Sequence, residues 1–122
     1  MADNDTTTGT GQRAEVLAAG FLKKRGLSVV ARNFRCRGGE IDLVCREGNT
    51  LVFVEVRLRR NTSFGGAGAS ITAHKRQRII LAAQHFLAAT NAAASNCRFD
   101  CLLLDRLDER CIEWIRDAFS AD

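Results

Sequence analysis

Apolar residues recur along this chain in two rhythms, and the switches between them mark out its elements. Over residues 12–25, Ala14, Leu17, Ala18 and Phe21 return at three- and four-residue intervals, the spacing of one buried helix face. Lys23, Lys24 and Arg25 fall in the last turn, where positive charge suits the helix dipole, and Gly26 is a natural stop. Residues 27–35 (LSVVARNFR) change to β-branched residues with alternation toward the end, which predicts a first strand. After a turn at Arg37, Gly38 and Gly39, residues 40–46 and 51–59 read as strands two and three, joined by the hairpin connection 47–50 (EGNT). A second long helix is predicted over 72–89, with Ile79, Ile80, Ala83, Phe86 and Leu87 on its buried face. Residues 98–105 (RFDCLLLD) and 110–116 (RCIEWIR) read as two last strands about a polar turn. The order predicts an α/β fold, a mixed sheet flanked by helices.

Acidic residues interrupt the two most apolar strands. Glu40 and Asp42 lie in the second, Glu55 and then Arg57 in the third. A carboxylate in such a run is costly to desolvate unless something binds it. Three carboxylates gathered by one hairpin repel one another, and a divalent cation would relieve that. Strict alternation puts Glu40, Asp42 and Val44 on one face of the second strand, with Ile41, Leu43 and Cys45 on the other. In the third, Phe53, Glu55 and Arg57 share a face opposite Val52, Val54 and Val56. With strands about 4.8 Å apart, Asp42 and Glu55 can meet around one ion if the register sets them side by side.

Composition and charge sharpen this. At 122 residues the chain has the size of one domain, expected over 11–119. Its opening, MADNDTTTGTG, lacks the pattern of a secretion signal, so a disordered tail over 1–10 and a cytoplasmic protein are expected. No apolar stretch is long enough to span a membrane. Five cysteines without a CxxC pair read as reduced thiols, and the spacing of Cys97 and Cys101 fits no dependable zinc pattern. The net charge of +4 hides an asymmetry, because residues 11–90 hold fourteen Lys and Arg against five Asp and Glu. A positive field around a small acidic cluster suits a protein that handles phosphodiesters. Ordinary solubilising charge would account for +4 by itself.

Two further stretches carry positive charge. Residues 59–70 (RRNTSFGGAGAS) form a glycine-rich loop with Arg59 and Arg60 at its root, fit to follow a bent or branched ligand or to act as a simple connector. His74, Lys75, Arg76 and Arg78 crowd the start of the second helix, where the dipole disfavours cations by about a few tenths of a kcal/mol each. Lys75 and Arg78, three apart, share a face. All four side chains and the free backbone N–H groups could face phosphate together, or the face could simply be solvated.

The runs GQRAEVLAAGFLKKRG, NFRCRGGEIDLV, LVFVEVRLRR, HKRQRIILAAQHFL and RFD, with the phenylalanine-glycine loop between them, resemble the YraN-like family of bacterial proteins. The resemblance covers nearly all of 11–119, motifs in order. That family is similar to Holliday-junction resolvases and to the restriction-endonuclease-like PD-(D/E)XK nucleases. The resemblance implies a restriction-endonuclease-like core, α-β-β-β-α-β, here with an additional C-terminal strand. It makes Asp42 the motif aspartate and Glu55 the glutamate of the E-x-K element. Glu15, on the margin of the first helix's apolar stripe, matches the acid often found there, and Lys75 matches the basic residue of the following helix. Glu40 belongs to the same GEID signature.

One position departs from that pattern: Arg57 stands where the element has lysine. A guanidinium cannot serve as a base, yet it can clamp phosphate and stabilise developing charge. The implied chemistry is Mg²⁺- or Mn²⁺-dependent hydrolysis of DNA, branched or structured rather than read by sequence. Asp42, Glu55 and the Val56 carbonyl would hold the metal, with Glu15 acting through water and Arg57 on the scissile phosphate. Lys75, Arg78, Arg59 and Arg60 would bind the nucleic acid. A two-fold junction would suit a homodimer. The alternatives are a catalytically impaired DNA-binding module, or a protein-interaction domain with structural carboxylates.

Overall fold

The computed structural model describes residues 2–58, 71–92 and 95–121. In chain order it contains α1 (Ala2–Lys24), β1 (Ser28–Cys36), β2 (Gly39–Glu47), β3 (Thr50–Leu58), α2 (Ala73–Ala89), β4 (Asn96–Leu104), a short 3-10 turn (Glu109–Cys111) and β5 (Ile112–Phe119). The five strands lie in one sheet in sequence order. β3 and β4 run parallel and every other neighbouring pair runs antiparallel. This is the expected mixed α/β architecture. The glycine loop with Arg59 and Arg60 lies outside the described residues.

Helices cover both faces. α1 buries Ala14, Ala18, Ala19, Phe21 and Leu22 against Leu43, Cys45, Val52, Val54, Leu102 and Leu104. α2 buries Ile79, Ala82, Ala83 and Phe86 against Ile41, Val44, Leu51, Phe53 and Phe99 on the other face. β3 is therefore covered on both sides, and its Leu51–Val54 run is buried without a break. That is why it reads as continuous apolar sequence rather than as alternation.

Two differences from the sequence reading matter. α1 begins at Ala2 rather than at 12, taking in residues expected as a tail. Adding a residue to an existing helix is far cheaper than nucleating one, so the packed turns from Ala14 onward can carry a polar extension. The alternation of β2 also breaks. Leu43 and Cys45 pack with α1 as expected, but Ile41 joins Val44 under α2. The break falls at Asp42. Opposite it on β1 lies Asn33, between the pairs Arg32↔Leu43 and Phe34↔Ile41, with φ at 51°. Asparagine tolerates that left-handed backbone better than most residues, and it twists the β1–β2 ribbon there.

α2 is seated on β2 by a glycine. A side-chain carbon at Gly39 would come within 2.2 Å of the Arg78 carbonyl oxygen and 3.2 Å of the Ala82 nitrogen. Backbone meets backbone there, which fixes the basic first half of the helix over the acidic end of the hairpin. Among the described residues no helix is long and apolar enough to cross a membrane.

Candidate active site

The β2–β3 ladder runs from Glu47↔Thr50 to Leu43↔Val54 and stops. Past that point β2 turns away, and the next inward donor of β3 would lack a backbone partner. Asp42 supplies one: its Oδ2 accepts the Val56 N–H at 2.8 Å. In an extended strand the N–H and C=O of one residue point to the same neighbour, so the Val56 carbonyl faces β2 as well. Asp42 thus fills the fork between two parting strands.

Glu55 comes to the same place from the face covered by α2. It is only 5% exposed, and the Asp42 carboxyl stands close enough to act on its protonation. Its Oε2 lies 2.8 Å from the Lys75 ammonium of α2 and 3.8 Å from the Arg57 guanidinium. Glu15 reaches in from α1, half-buried, with Asp42 and the Asn33 side chain as its electrostatic neighbours. Glu15 and Glu55 thus approach Asp42 from the two helix layers.

Burial and mutual repulsion govern their protonation. Desolvation, then the neighbouring Asp42 charge, pushes Glu55 up to about 7, with Lys75 pulling the other way. Asp42 is raised chiefly by burial, an effect offset in part by the Val56 N–H, the Glu55 carboxyl and Lys75. Glu15 is raised by its own burial and by Asp42. Two adjacent desolvated carboxyls resist ionising together without more positive charge than Lys75 brings.

A cleft of about 320 Å³ opens beside Glu55, lined also by Glu40, Thr72, His74, Lys75 and Arg78. It lies at the start of α2, where Thr72 caps the helix by accepting the Lys75 N–H at 3.1 Å and no acidic residue occupies the first turn. A smaller hollow of about 190 Å³ adjoins Glu15 on the other side, lined by Gln12, Asn33 and Arg35. A larger hollow, about 570 Å³, runs along α1 past Val16 and Leu17 to Leu107, and no carboxylate lines it among the described residues. The acidic side chains gather at the smaller clefts instead.

Of the residues singled out from sequence, Glu15, Asp42, Glu55, Arg57 and Lys75 come together, and Arg78 lines the same cleft. Glu40 lies on the rim, exposed and loosely paired with Arg35 at 3.8 Å. Asn33 was not foreseen as a site residue, whereas His74, read among the cations at the start of the second helix, lines the cleft as that reading allowed. For Asn33 the available signal was a polar, left-handed-tolerant residue inside an otherwise regular strand.

Among the described residues, no three His, Cys, Asp or Glu side chains form a ready ligand set. What stands there is a pair of hard oxygen donors with a lysine ammonium already against one of them. That chemistry fits Mg²⁺ or Mn²⁺, which bind through one or two carboxylates and keep several waters, and the ammonium is a stand-in for positive charge at this spot. Cys97 and Cys101 do not pair as zinc ligands: Cys97 is exposed, Cys101 is buried and all five thiols are free.

A second polar cluster lies on the α1 face of β4. Asp100, 1% exposed, accepts from Arg98 Nε at 2.8 Å and Arg98 NH2 at 3.0 Å, from Trp114 Nε1 at 2.9 Å and from the Asp117 N–H at 2.9 Å. Arg98 and Arg116 also both bond to Glu47 at 2.8 Å. With every contact satisfied inside the chain, this cluster ties β5 and the end of β2 to β4.

The uncharacterised protein family UPF0102 matches residues 14–104, a span containing every acidic residue of the site. A UPF0102 protein of Dechloromonas aromatica is 60% identical over 119 residues, covering 98% of this chain and 95% of its own length. One from Methylobacillus flagellatus is 59% identical over 111 residues (91% and 96%), and one from Nitrosomonas europaea 51% over 109 residues (89% and 92%). The chain belongs to the UPF0102 family, the YraN-like family whose motifs its sequence carries.

Proposed function

We propose that this protein is a metal-dependent endonuclease-like phosphodiesterase that acts in the cytoplasm on branched or structured DNA. The observation that carries the reading is the meeting of the buried Glu55 with the half-buried Asp42 beside a cationic cleft. Asp42, Glu55 and the Val56 carbonyl would hold Mg²⁺ or Mn²⁺. Such an ion polarises a phosphoryl oxygen and makes a bound water more acidic.

The chain's own groups supply the rest. Glu15, beside Asp42, would hold a water by its carboxyl. Arg57, on the same face as Glu55, would clamp a phosphate oxygen. Lys75 and Arg78, together with Arg59 and Arg60, would hold the nucleic-acid backbone. Phosphate contacts of this kind carry no base information, so the partner is selected by shape.

Purified protein incubated with branched and linear DNA plus Mg²⁺ or Mn²⁺, beside an Asp42→Ala control, tests this. Metal-dependent cleavage lost in the control is expected. One observation favours a second reading, a DNA-binding module that has lost its chemistry: the motif lysine is an arginine, turned toward Glu55 at 3.8 Å. Salt-sensitive binding without cleavage by the wild type would select that module. Cleavage that survives Asp42→Ala would place the activity elsewhere.

A further inference from the structure

Two buried carboxylates in this fold are treated in opposite ways. Asp100 receives four donors from Arg98, Trp114 and the Asp117 backbone, all fixed within the strands. Glu55 is balanced instead by the tip of a long, flexible side chain. The Lys75 ammonium sits 2.8 Å from Oε2 while its side chain remains 40% exposed, and Arg57 stands back at 3.8 Å. Lysine can rotate about four side-chain bonds, and its root lies in the cleft shared with His74 and Arg78.

We infer that Lys75 is an exchangeable cation: its ammonium serves Glu55 in the metal-free protein and is released toward the phosphate cleft when a divalent ion takes its place. The inference rests on the metal-binding reading above and deepens it. The ammonium and the metal compete for one oxygen, so they exclude each other by repulsion at close range. Release turns Lys75 about its root toward Arg78, adding a charge to the backbone-binding side as the metal arrives. The metal and a polyanionic ligand would then favour each other's binding. Asp100, with no mobile donor, has no such exchange open to it.

Mn²⁺ affinity, read from the free-ion electron paramagnetic resonance signal in alkaline buffer where both carboxyls are ionised, tests this apart from any activity. Lys75→Met is expected to bind Mn²⁺ about tenfold more tightly than wild type, because a competing positive charge is gone. Lys75→Arg, which keeps the charge, is expected to show no tightening. Lys75→Gln repeats the neutral case if the methionine variant aggregates. Unchanged or weaker binding in the neutral variants overturns the exchange, because Lys75 would then be supporting the ligands and not competing with the ion. If neither wild type nor variants bind Mn²⁺, the metal reading itself fails, and the exchange with it.

Discussion

The carboxylate of Asp42 takes the Val56 N–H that a backbone carbonyl would take if β2 and β3 stayed paired. One side chain thus closes a hydrogen-bond ladder and presents an acid to the site. Its two duties can be separated. Asp42→Asn keeps an acceptor for Val56, whereas Asp42→Ala leaves that N–H unpaired at a cost of about 1–3 kcal/mol. Urea unfolding is expected to find the alanine variant less stable than the asparagine variant by that order. Both should lose metal-dependent cleavage.

The Glu55 carboxyl gives the metal-free protein an unusual pH dependence. Its pKa rises from 4.5 to about 7 on folding, so the folded state holds the proton more tightly than the unfolded chain. The resulting stability is complete below pH 4.5 and is lost as pH climbs through about 7. At about 1.36 kcal/mol per pH unit the loss is of the order of 3 kcal/mol. Thermal melts from mildly acidic to mildly alkaline buffer should show it. Glu55→Gln is expected to flatten the curve, and added Mg²⁺ should restore stability on the alkaline side only.

Gly39 admits α2 so closely that a single methyl group has nowhere to go, because the atom it meets is a helix carbonyl rather than a movable side chain. Overpacking of this kind typically costs about 1–3 kcal/mol. Gly39→Ala should lower the urea midpoint accordingly. It should also weaken DNA binding in protein that is still folded, since the basic turns of α2 would be lifted off β2.

Removing Asp100 would leave the Arg98 guanidinium short of its main partner and the Trp114 and Asp117 N–H groups unsatisfied. Breaking a buried pair from one side costs about 3–5 kcal/mol. Asp100→Ala is therefore expected to be among the most destabilising single changes in the chain, measured by urea unfolding.

Arg78 lines the cleft, and among the described residues no acidic side chain is paired with it. Arg78→Ala should weaken DNA binding similarly for every sequence tested. It should also reduce the slope of log affinity against log salt by about one.

Much of this was legible in the sequence. The helices followed from three- and four-residue spacing, and the third strand's faces from strict alternation, which placed Glu55 and Arg57 together opposite Val54 and Val56. What alternation could not give was the second strand at Asp42, because it assumes a regular ladder and the ladder ends one residue earlier. Lys75 was readable as a basic residue on a helix. That it would reach down to Glu55 depends on the height at which α2 rests, which Gly39 sets from a distant point in the chain. Asp100 is not legible in the sequence, because a carboxylate in RFD looks like any strand polar residue until Trp114 and Asp117 fold back upon it.

The outermost strands, β1 and β5, each carry a register shift and one non-glycine residue of positive φ, Asn33 and Asp117. Kinks of this kind spoil a border as a template, since an incoming segment would find its hydrogen-bonding groups out of step. Open-ended stacking of molecules through sheet extension is thereby discouraged at both margins. Each molecule can therefore keep its own sheet to itself while leaving the basic start of α2 open to solvent.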